Sequence, residues 1–408
     1  MRFPSGLRAL RHRDFRFYWT GQLISLVGRW MQSVAQSWLV LELTNSPLKL
    51  GIVGALQFAP ILVLSFVAGA IADRVPKRPL IIVTQLVLML PAFSLAALIW
   101  GGHVQYWHVV VGASMIGVVN ALDMPARQSL IAELVGRDDL VNAIALNSVM
   151  FNAARVAGPA LGGLLIARYG VALAFFLNGL TFLAVVAALL AMRVEGVRRA
   201  HGGTTLREEI GDGLRYAVGS PLISLILSLV LAVSVFVINH TVLVPLLARD
   251  VLGEGVEGFG LLMAVLGGGA LVGAVALAGF GRGQPSLAAV VVPAIVVSAG
   301  TLSLAAVRQF WVTAILLFII GGSQILFLAC CNTTLQVTAP DELRGRVMGL
   351  YTLVFVGVTP IGAFFIGSIA EGFGVPAACL AGGGLGLLCV LALWARSTRR
   401  GLPTVVDK

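Results

Sequence analysis

The chain has 408 residues, of which 58% are hydrophobic and 11% are charged, and its mean hydropathy is +0.97. Soluble domains carry about 25% charged residues, so this composition excludes an ordinary soluble surface as well as a disordered chain. The net charge of +10 follows from the placement of cations beside a membrane and does not indicate nucleic acid. The four cysteines lie in apolar runs without metal or disulfide spacing, which indicates packing residues.

Twelve apolar segments are each long enough to cross a bilayer, which takes about 20 residues. They are continuous apolar runs, whereas strands of a membrane β-barrel alternate over about ten residues, so we predict an all-α membrane protein. The apolar run after the N-terminal arginines is too long for the core of a signal peptide, and we interpret it as a retained first span. The predicted spans are 17–42, 47–72, 79–100, 106–126, 140–167, 171–192, 221–248, 257–280, 286–307, 310–336, 343–370 and 375–395.

The distribution of lysine and arginine predicts the orientation of these spans. With a cytoplasmic N-terminus, 22 of the 28 cations fall in cytoplasmic segments and four in outer loops, and Arg29 and Arg155 lie inside spans. We therefore expect a multi-pass protein of the cell membrane, inner or plasma, with both termini in the cytoplasm.

The two halves of the chain resemble each other, because equally spaced glycines recur from Gly158 and from Gly362, 204 residues apart. This indicates two pseudo-symmetric six-helix bundles, and transporters built from such repeats place their substrate path at the repeat interface. A capping box from Thr205 to Glu208 predicts a short amphipathic helix in the linker. The predicted segments are a basic amphipathic segment at 1–16, the bundles at 17–192 and 221–396, the cytoplasmic linker at 193–220 and the tail at 397–408.

The sharpest motif lies at the predicted cytoplasmic end of span two. A carboxylate at Asp73 can accept hydrogen bonds from the free N–H groups of a neighbouring helix start. The cations that follow can meet lipid phosphates or acidic partners, although an ordinary positive-inside loop is the simpler alternative. The motif reads Gly69-Ala-Ile-Ala-Asp73-Arg74-Val-Pro76-Lys77-Arg78.

This decapeptide resembles the signature loop of the major facilitator superfamily, with Pro76 where the pattern usually has Gly. The resemblance implies two six-helix bundles that rock about a central cavity. Span five carries a stretch similar to the superfamily's antiporter motif, and the sequence from Pro125 to Gly163 resembles the subgroup of effluxers that includes enterobactin-type siderophore exporters. The implied conformational latch is formed by Gly69, Asp73, Arg74, Lys77 and Arg78, and the antiporter-like motif by Gly158, Pro159, Gly162 and Gly163.

Span one carries a polar stripe at alternating three- and four-residue spacing. An arginine near the middle of the membrane costs about 2.5–3.5 kcal/mol on insertion scales, so the stripe avoids lipid. It lines either a wet substrate cavity, which we favour, or a polar seam between helices. The stripe consists of Gln22, Ser25, Arg29, Gln32 and Gln36.

Span five adds Asn152 and Arg155 on one face, and we expect Arg155 to join Arg29 in binding an anionic or acceptor-rich part of the substrate. The alternative for Arg155 is a structural bond to a backbone carbonyl freed near Pro159. We expect Asp123 and Arg127 to form a cytoplasmic charge network with the latch. Candidates for this network or for ion coupling are Asp123, Arg127, His240, Glu42, Arg344 and Arg346.

No nucleotide, metal or hydrolase motif is present in the sequence, so we predict neither an enzyme nor a cofactor or metal site. We expect a secondary-active exporter of small molecules (a drug, a metabolite or a siderophore-like compound) that works by alternating access and proton-coupled antiport. The expected partners are the substrate, membrane lipid and protons, and the expected state is a monomer. The alternatives are an importer of a small nutrient and a receptor or assembly subunit that does not transport.

Overall fold

The computed structural model describes residues 5–193, 214–280 and 285–399, and within these ranges the chain is helical and contains no strand. A short 3₁₀ helix, Ser5–Arg11, precedes the first long helix, and a π-helical turn, Leu247–Val251, follows α7. The α-helices are α1 (Arg13–Thr44), α2 (Pro47–Arg74), α3 (Lys77–Trp100), α4 (Tyr106–Tyr169), α5 (Val171–Leu190), α6 (Pro221–Phe236), α7 (His240–Leu246), α8 (Val256–Phe280), α9 (Leu287–Ser303), α10 (Phe310–Thr338), α11 (Asp341–Phe355), α12 (Thr359–Phe373) and α13 (Val375–Arg399).

Nine helical stretches in the described part of the chain are long and apolar enough to cross a membrane. Helix α9 is also apolar but has 17 residues, and α1 carries the polar stripe. Helix α4 has 64 residues with a non-helical backbone at Gly136, so it consists of two helical parts of about 45 Å and 50 Å at 1.5 Å per residue, each long enough for one span. The protein is therefore an all-helical, multi-pass membrane protein, as predicted.

The structure adds three breaks in the helices that the predicted spans do not show. Spans four and five follow each other within α4, and a non-helical backbone at Gly136 (φ 69°, ψ −178°) breaks the helix between them. Span seven is interrupted between Phe236 and His240, and span eleven between Phe355 and Thr359. The predicted linker helix lies largely outside the described residues, of which 214–219 are helical.

The helices group into two compact units. The first unit comprises Met1–Asn45, Ala59–Gly202 and Gly255–Ala264, and the second comprises Ser46–Phe58, Gly203–Glu254 and Val265–Lys408. Each unit therefore combines most of one predicted bundle with a short segment from the other half of the chain. The start of α8 belongs to the first unit, and the start of α2 belongs to the second.

A pair of glycines lies where the start of α8, and likewise the start of α2, crosses a helix of its unit. In the first unit, a Cβ on Gly163 would lie 3.0 Å from the Cα of Gly260, so α4 and α8 cross with their backbones in contact. In the second unit, a Cβ on Gly367 would lie 3.1 Å from the Cα of Gly51, where α12 crosses α2. Gly163 and Gly367 are repeat-related, so the same helix crossing is built once in each unit.

Glu371 strengthens the crossing in the second unit. Its carboxylate accepts hydrogen bonds from the Ser46 hydroxyl at 2.7 Å and from the Leu48 amide at 3.1 Å. The amide is one of the free N–H groups in the first turn of α2, where a negative charge is favourable. The last turn of α12 thus caps the start of α2.

The N-terminal 3₁₀ helix is docked beside the kink of α4. The amide of Ala9 donates to the Asn142 side chain at 2.8 Å, and that side chain donates in turn to the carbonyl of Gly6 at 2.8 Å. The carboxylate of Asp139 lies 2.8 Å from Arg11 and accepts a hydrogen bond from His12 at 2.8 Å. The basic N-terminal segment is therefore fixed by specific contacts to α4.

Candidate functional site

A buried network of hydrogen bonds in the first unit joins α1, α3 and α4, and we call it the Asp123 network. Asp123 and Arg127 lie four residues apart on one face of α4, and the Nε–H of Arg127 donates to the Asp123 carboxylate. Arg127 also donates to the side-chain oxygen of Gln22 on α1. From α3, the Thr84 hydroxyl and the Gln85 amide donate to the other carboxylate oxygen at 2.6 Å and 3.1 Å.

The two charges of the Asp123 network are almost fully buried, since Asp123 is 1% and Arg127 is 7% exposed. Both side chains are therefore packed between helices, as part of the first unit's interior. The expected link to Asp73 and Arg74 stays a prediction, since those side chains lie outside the described part of the molecule. Sequence reasoning missed Thr84 and Gln85, although two adjacent polar residues in an apolar span were a usable signal.

Much of the polar stripe of α1 lies in a seam between helices. Gln22 belongs to the Asp123 network, and Gln32 accepts a hydrogen bond from the Asn178 amide on α5. Ser25 and Gln36 are also buried. The contacts favour the polar seam over the wet cavity for Gln22 and Gln32, and Asn178 is a further member that the sequence did not reveal.

The two arginines inside predicted spans, Arg29 and Arg155, take no part in the hydrogen bonds of this seam. Arg29 is partly exposed, and its Nε has no hydrogen-bond partner within the described residues. Arg155 is also partly exposed, and its guanidinium lies over the ring of Trp30 at 5.9 Å from the ring centroid. Neither arginine forms a hydrogen bond or ion pair with any residue that the structure describes, so both retain donors for a ligand or for water.

Asn152 lies one helical turn before Arg155 on α4. Its side-chain amide donates to the carbonyl of Ser148 within α4 at 2.8 Å, and the residue is 8% exposed. Such a bond to the preceding turn satisfies the amide locally. Its carbonyl oxygen has no partner within the described residues, so one acceptor remains buried beside Arg155.

The antiporter-like motif allows α4 to pack closely against α1 and α8. A Cβ on Gly158 would overlap the Cβ of Trp30, and a Cβ on Gly162 would lie 3.2 Å from the Cα of Met31. Gly163 makes the crossing with α8 described above, and Pro159 is buried beside these glycines. The motif therefore determines how closely α1 and the start of α8 approach α4.

The remaining coupling candidates, Glu42, His240, Arg344 and Arg346, each have their own local surroundings. Glu42 accepts a hydrogen bond from the Trp38 indole at 2.7 Å, and His240 is buried at the start of α7. Arg344 donates to the backbone carbonyl of Gln336 at 2.9 Å, and Arg346 is partly exposed on α11. Within the described residues, no group of three metal-ligating side chains occurs.

The latch loop is only partly described. Gly69, Asp73 and Arg74 belong to the last turns of α2, and α11 begins at Asp341. Lys77 is 1% exposed and donates to the carbonyl of Val75, whereas Arg78 donates to the carbonyl of Leu190 at 3.2 Å. The buried Lys77 is thus not placed to meet lipid phosphates.

Comparison with known proteins extends over almost the whole chain. A family model described as transmembrane secretion effector matches residues 4–404. The multidrug efflux pump Tap of Mycolicibacterium fortuitum is 29% identical over 87% of this chain and 88% of its own. The enterobactin exporter EntS of Salmonella typhi is 27% identical over 97% and 96%, and the staphyloferrin A transporter of Staphylococcus aureus is 23% identical over 88% and 90%.

Solved structures share the fold at low sequence identity. A bacterial homolog of the human lysosomal transporter Spinster, in an inward-facing and unoccupied conformation, gives a TM-score of 0.71 at 15% identity and covers 97% of this chain and 98% of its own. A mutant form of the nucleoside transporter NupG gives a TM-score of 0.75 at 11% identity over 95% and 99%. At these identities the likeness establishes the fold alone.

Proposed function

Because the chain belongs to the transmembrane secretion effector family of the major facilitator superfamily, we propose that this membrane transporter is a secondary-active exporter of small molecules. The observation that carries the proposal is the full-length match to that family, together with relatives named as an efflux pump and as an exporter. Alternating access of the two bundles is the mechanism proposed. An importer is the second candidate, and the antiporter-like motif weighs against it.

We further propose that proton coupling acts through the Asp123 network. Asp123 is preferred over Glu42 and His240 because its buried carboxylate is held by Arg127 and by donors from α3. Protonation of Asp123 would remove the negative partner of Arg127 and weaken the tie between α1, α3 and α4. A proton could therefore change the packing of three helices of the first unit.

We propose that the latch acts at the C-terminal end of α2, where Asp73 lies. The carboxylate of Asp73 would accept hydrogen bonds from the free N–H groups of a helix start, of which α11 is the candidate. Asp73→Asn is expected to shift the conformational balance by about 1–3 kcal/mol and to slow flux while protein accumulation is retained. Arg344 and Arg346 lie in the first turns of that helix.

The direct test is flux in proteoliposomes of known orientation, with ethidium and 2-naphthoate as a cationic and an anionic probe. An exporter with proton antiport moves a probe against its gradient when the opposite compartment is acidic, and collapse of the pH gradient stops this movement. Uphill movement in the same direction as protons would establish an importer instead. Absence of movement for every probe, with Asp73→Asn indistinguishable from the parent protein, would favour the receptor alternative.

A further inference from the structure

Three side chains of the first unit form an aromatic and cationic cluster that neither the family nor the relatives assign, and we call it the Trp30 cluster. The guanidinium carbon of Arg155 on α4 lies 5.9 Å from the ring centroid of Trp30 on α1. The rings of Trp30 and Phe151 meet edge to face, with centroids 5.8 Å apart and an interplanar angle of 70°. Phe151 is 46% exposed, so its ring is accessible beside the arginine.

The guanidinium donors of Arg155 have no hydrogen-bond acceptor within the described part of the protein. A guanidinium has five N–H donors, and its electrostatic contact with the ring of Trp30 does not supply them with a hydrogen-bond acceptor. No carboxylate or carbonyl within the described residues accepts from these donors. Because a cation inside a membrane protein needs an acceptor, an oxyanion is the ligand that the donors of Arg155 fit.

Trp30 is held firmly enough to position the arginine. The backbone of α4 at Gly158 lies so close to Trp30 that any Cβ at that position would overlap the Trp30 Cβ. The Cβ of Trp30 is therefore held against α4 one helical turn from Arg155, and contact with the ring restricts the rotamers of the arginine side chain. A preorganised guanidinium loses less entropy when it binds a planar, two-oxygen anion.

We propose that the Trp30 cluster is the subsite for an aryl carboxylate: Arg155 binds the two carboxylate oxygens, Phe151 packs on the ring, and Trp30 positions Arg155. This inference rests on the proposed function, since it names the substrate class of the transporter. A carboxylate matches the paired donors of a guanidinium, and an aromatic ring can pack against the half-exposed Phe151 side chain. Trp30 is a positioning residue and does not itself accept the anion.

The test measures binding and not flux, so that it can fail independently of the export proposal. The purified protein in nanodiscs is titrated with 2-naphthoate and with 2-naphthamide, which has the same shape without the charge. We expect 2-naphthoate to bind at least about tenfold more tightly, since a hydrogen bond to a charged group contributes more than a neutral one. Cyclohexanecarboxylate, which keeps the charge but lacks the aromatic ring, is expected to bind more weakly than 2-naphthoate.

Variants separate the roles within the cluster. Arg155→Gln is expected to weaken 2-naphthoate about 10- to 100-fold while 2-naphthamide changes little, and Arg155→Lys is expected to restore only part of the loss. Trp30→Leu is expected to lower the preference for naphthoate over naphthamide, whereas Trp30→Phe keeps a ring under the guanidinium and retains more of it. Trp107→Leu is the matched control, because Trp107 is 55% exposed and stacks on His108, away from the cluster.

Each outcome decides a part of the proposal. Equal affinity for naphthoate and naphthamide, unchanged naphthoate affinity in Arg155→Gln, or no naphthoate binding by the parent protein overturns the carboxylate subsite. An unchanged preference in a folded Trp30→Leu protein overturns the positioning role. If Trp30→Leu does not fold, the comparison of Trp30→Phe with the parent protein decides that role. Ethidium flux that persists in any of these cases leaves the export proposal intact.

Discussion

The two halves of the chain build equivalent helices with different chemistry inside. Helices α4 and α10 begin 204 residues apart, so Asp123 corresponds to Phe327 and Arg127 to Cys331. Phe327 and Cys331 are completely buried, as the ion pair nearly is. Because α10 forms and packs without charges, the Asp123–Arg127 pair is not required to build this helix. A buried ion pair is weak evidence for stability, and inside a membrane it indicates function.

Unlike the Asp123–Arg127 pair, the closely packed glycines are present in both halves. Gly158 and Gly163 in the first half recur as Gly362 and Gly367 in the second, and both members of the second pair contact backbone just as closely. Close helix crossings are a requirement of the fold and are kept twice. The comparison therefore separates what the architecture needs in both halves from what only the first half contains.

The largest effect is expected from breaking the ion pair on one side. Asp123→Ala leaves Arg127 buried without its carboxylate, which should lower the free energy of unfolding by about 3–5 kcal/mol. The matched substitution in the second half, Phe327→Leu, should cost less than about 1.5 kcal/mol because it changes volume but exposes no charge. Thermal unfolding in detergent measures both. Equal losses would show that the two positions are alike after all.

A smaller and symmetric effect is expected at the glycine crossings. Gly163→Ala and Gly367→Ala each force a methyl group against a facing backbone, so each should destabilise by about 1–3 kcal/mol. Gly345→Ala is the control, since nothing lies within 4 Å of its added Cβ, and it should stabilise slightly through helix propensity. Unfolding midpoints of the three variants check this. A clear difference between the first two would contradict equivalent crossings.

The smallest effect concerns the N-terminal 3₁₀ helix docked on α4 in the first half. A hydrogen bond from His12 and the charges of Arg11 and Arg8 lower the pKa of Asp139. A carboxyl with a lowered pKa stabilises the docked state above its ordinary pKa of about 3.9, and this contribution is lost as the pH falls through the lower value. Hydrogen exchange of the Ala9 amide, corrected for intrinsic rate, should accelerate below about pH 4. Asp139→Asn should show the faster exchange already at neutral pH, and unchanged exchange would remove the role of Asp139.

The sequence was sufficient for the helical membrane fold, because long apolar runs and repeated glycines are local signals. It was not sufficient for the partners of polar residues. Spacing on α1 shows that Gln22 and Gln32 share a face, but whether they meet Arg127 and Asn178 depends on helix rotation and on packing between distant segments. The kink at Gly136 was likewise hidden, since a glycine in a helical stretch permits a positive φ without requiring it.

The most direct test of the central claim removes both charges of the Asp123 network together. In Asp123→Asn/Arg127→Gln the network keeps polar side chains of similar size, but it no longer contains an ion pair that protonation could break. We predict that this protein inserts, unfolds within about 1–2 kcal/mol of the parent and equilibrates a probe passively. We also predict that it no longer drives uphill probe movement in proteoliposomes with an imposed pH gradient. Uphill movement at the parental rate would contradict a coupling role for the network and would make the ion pair a structural difference between the halves.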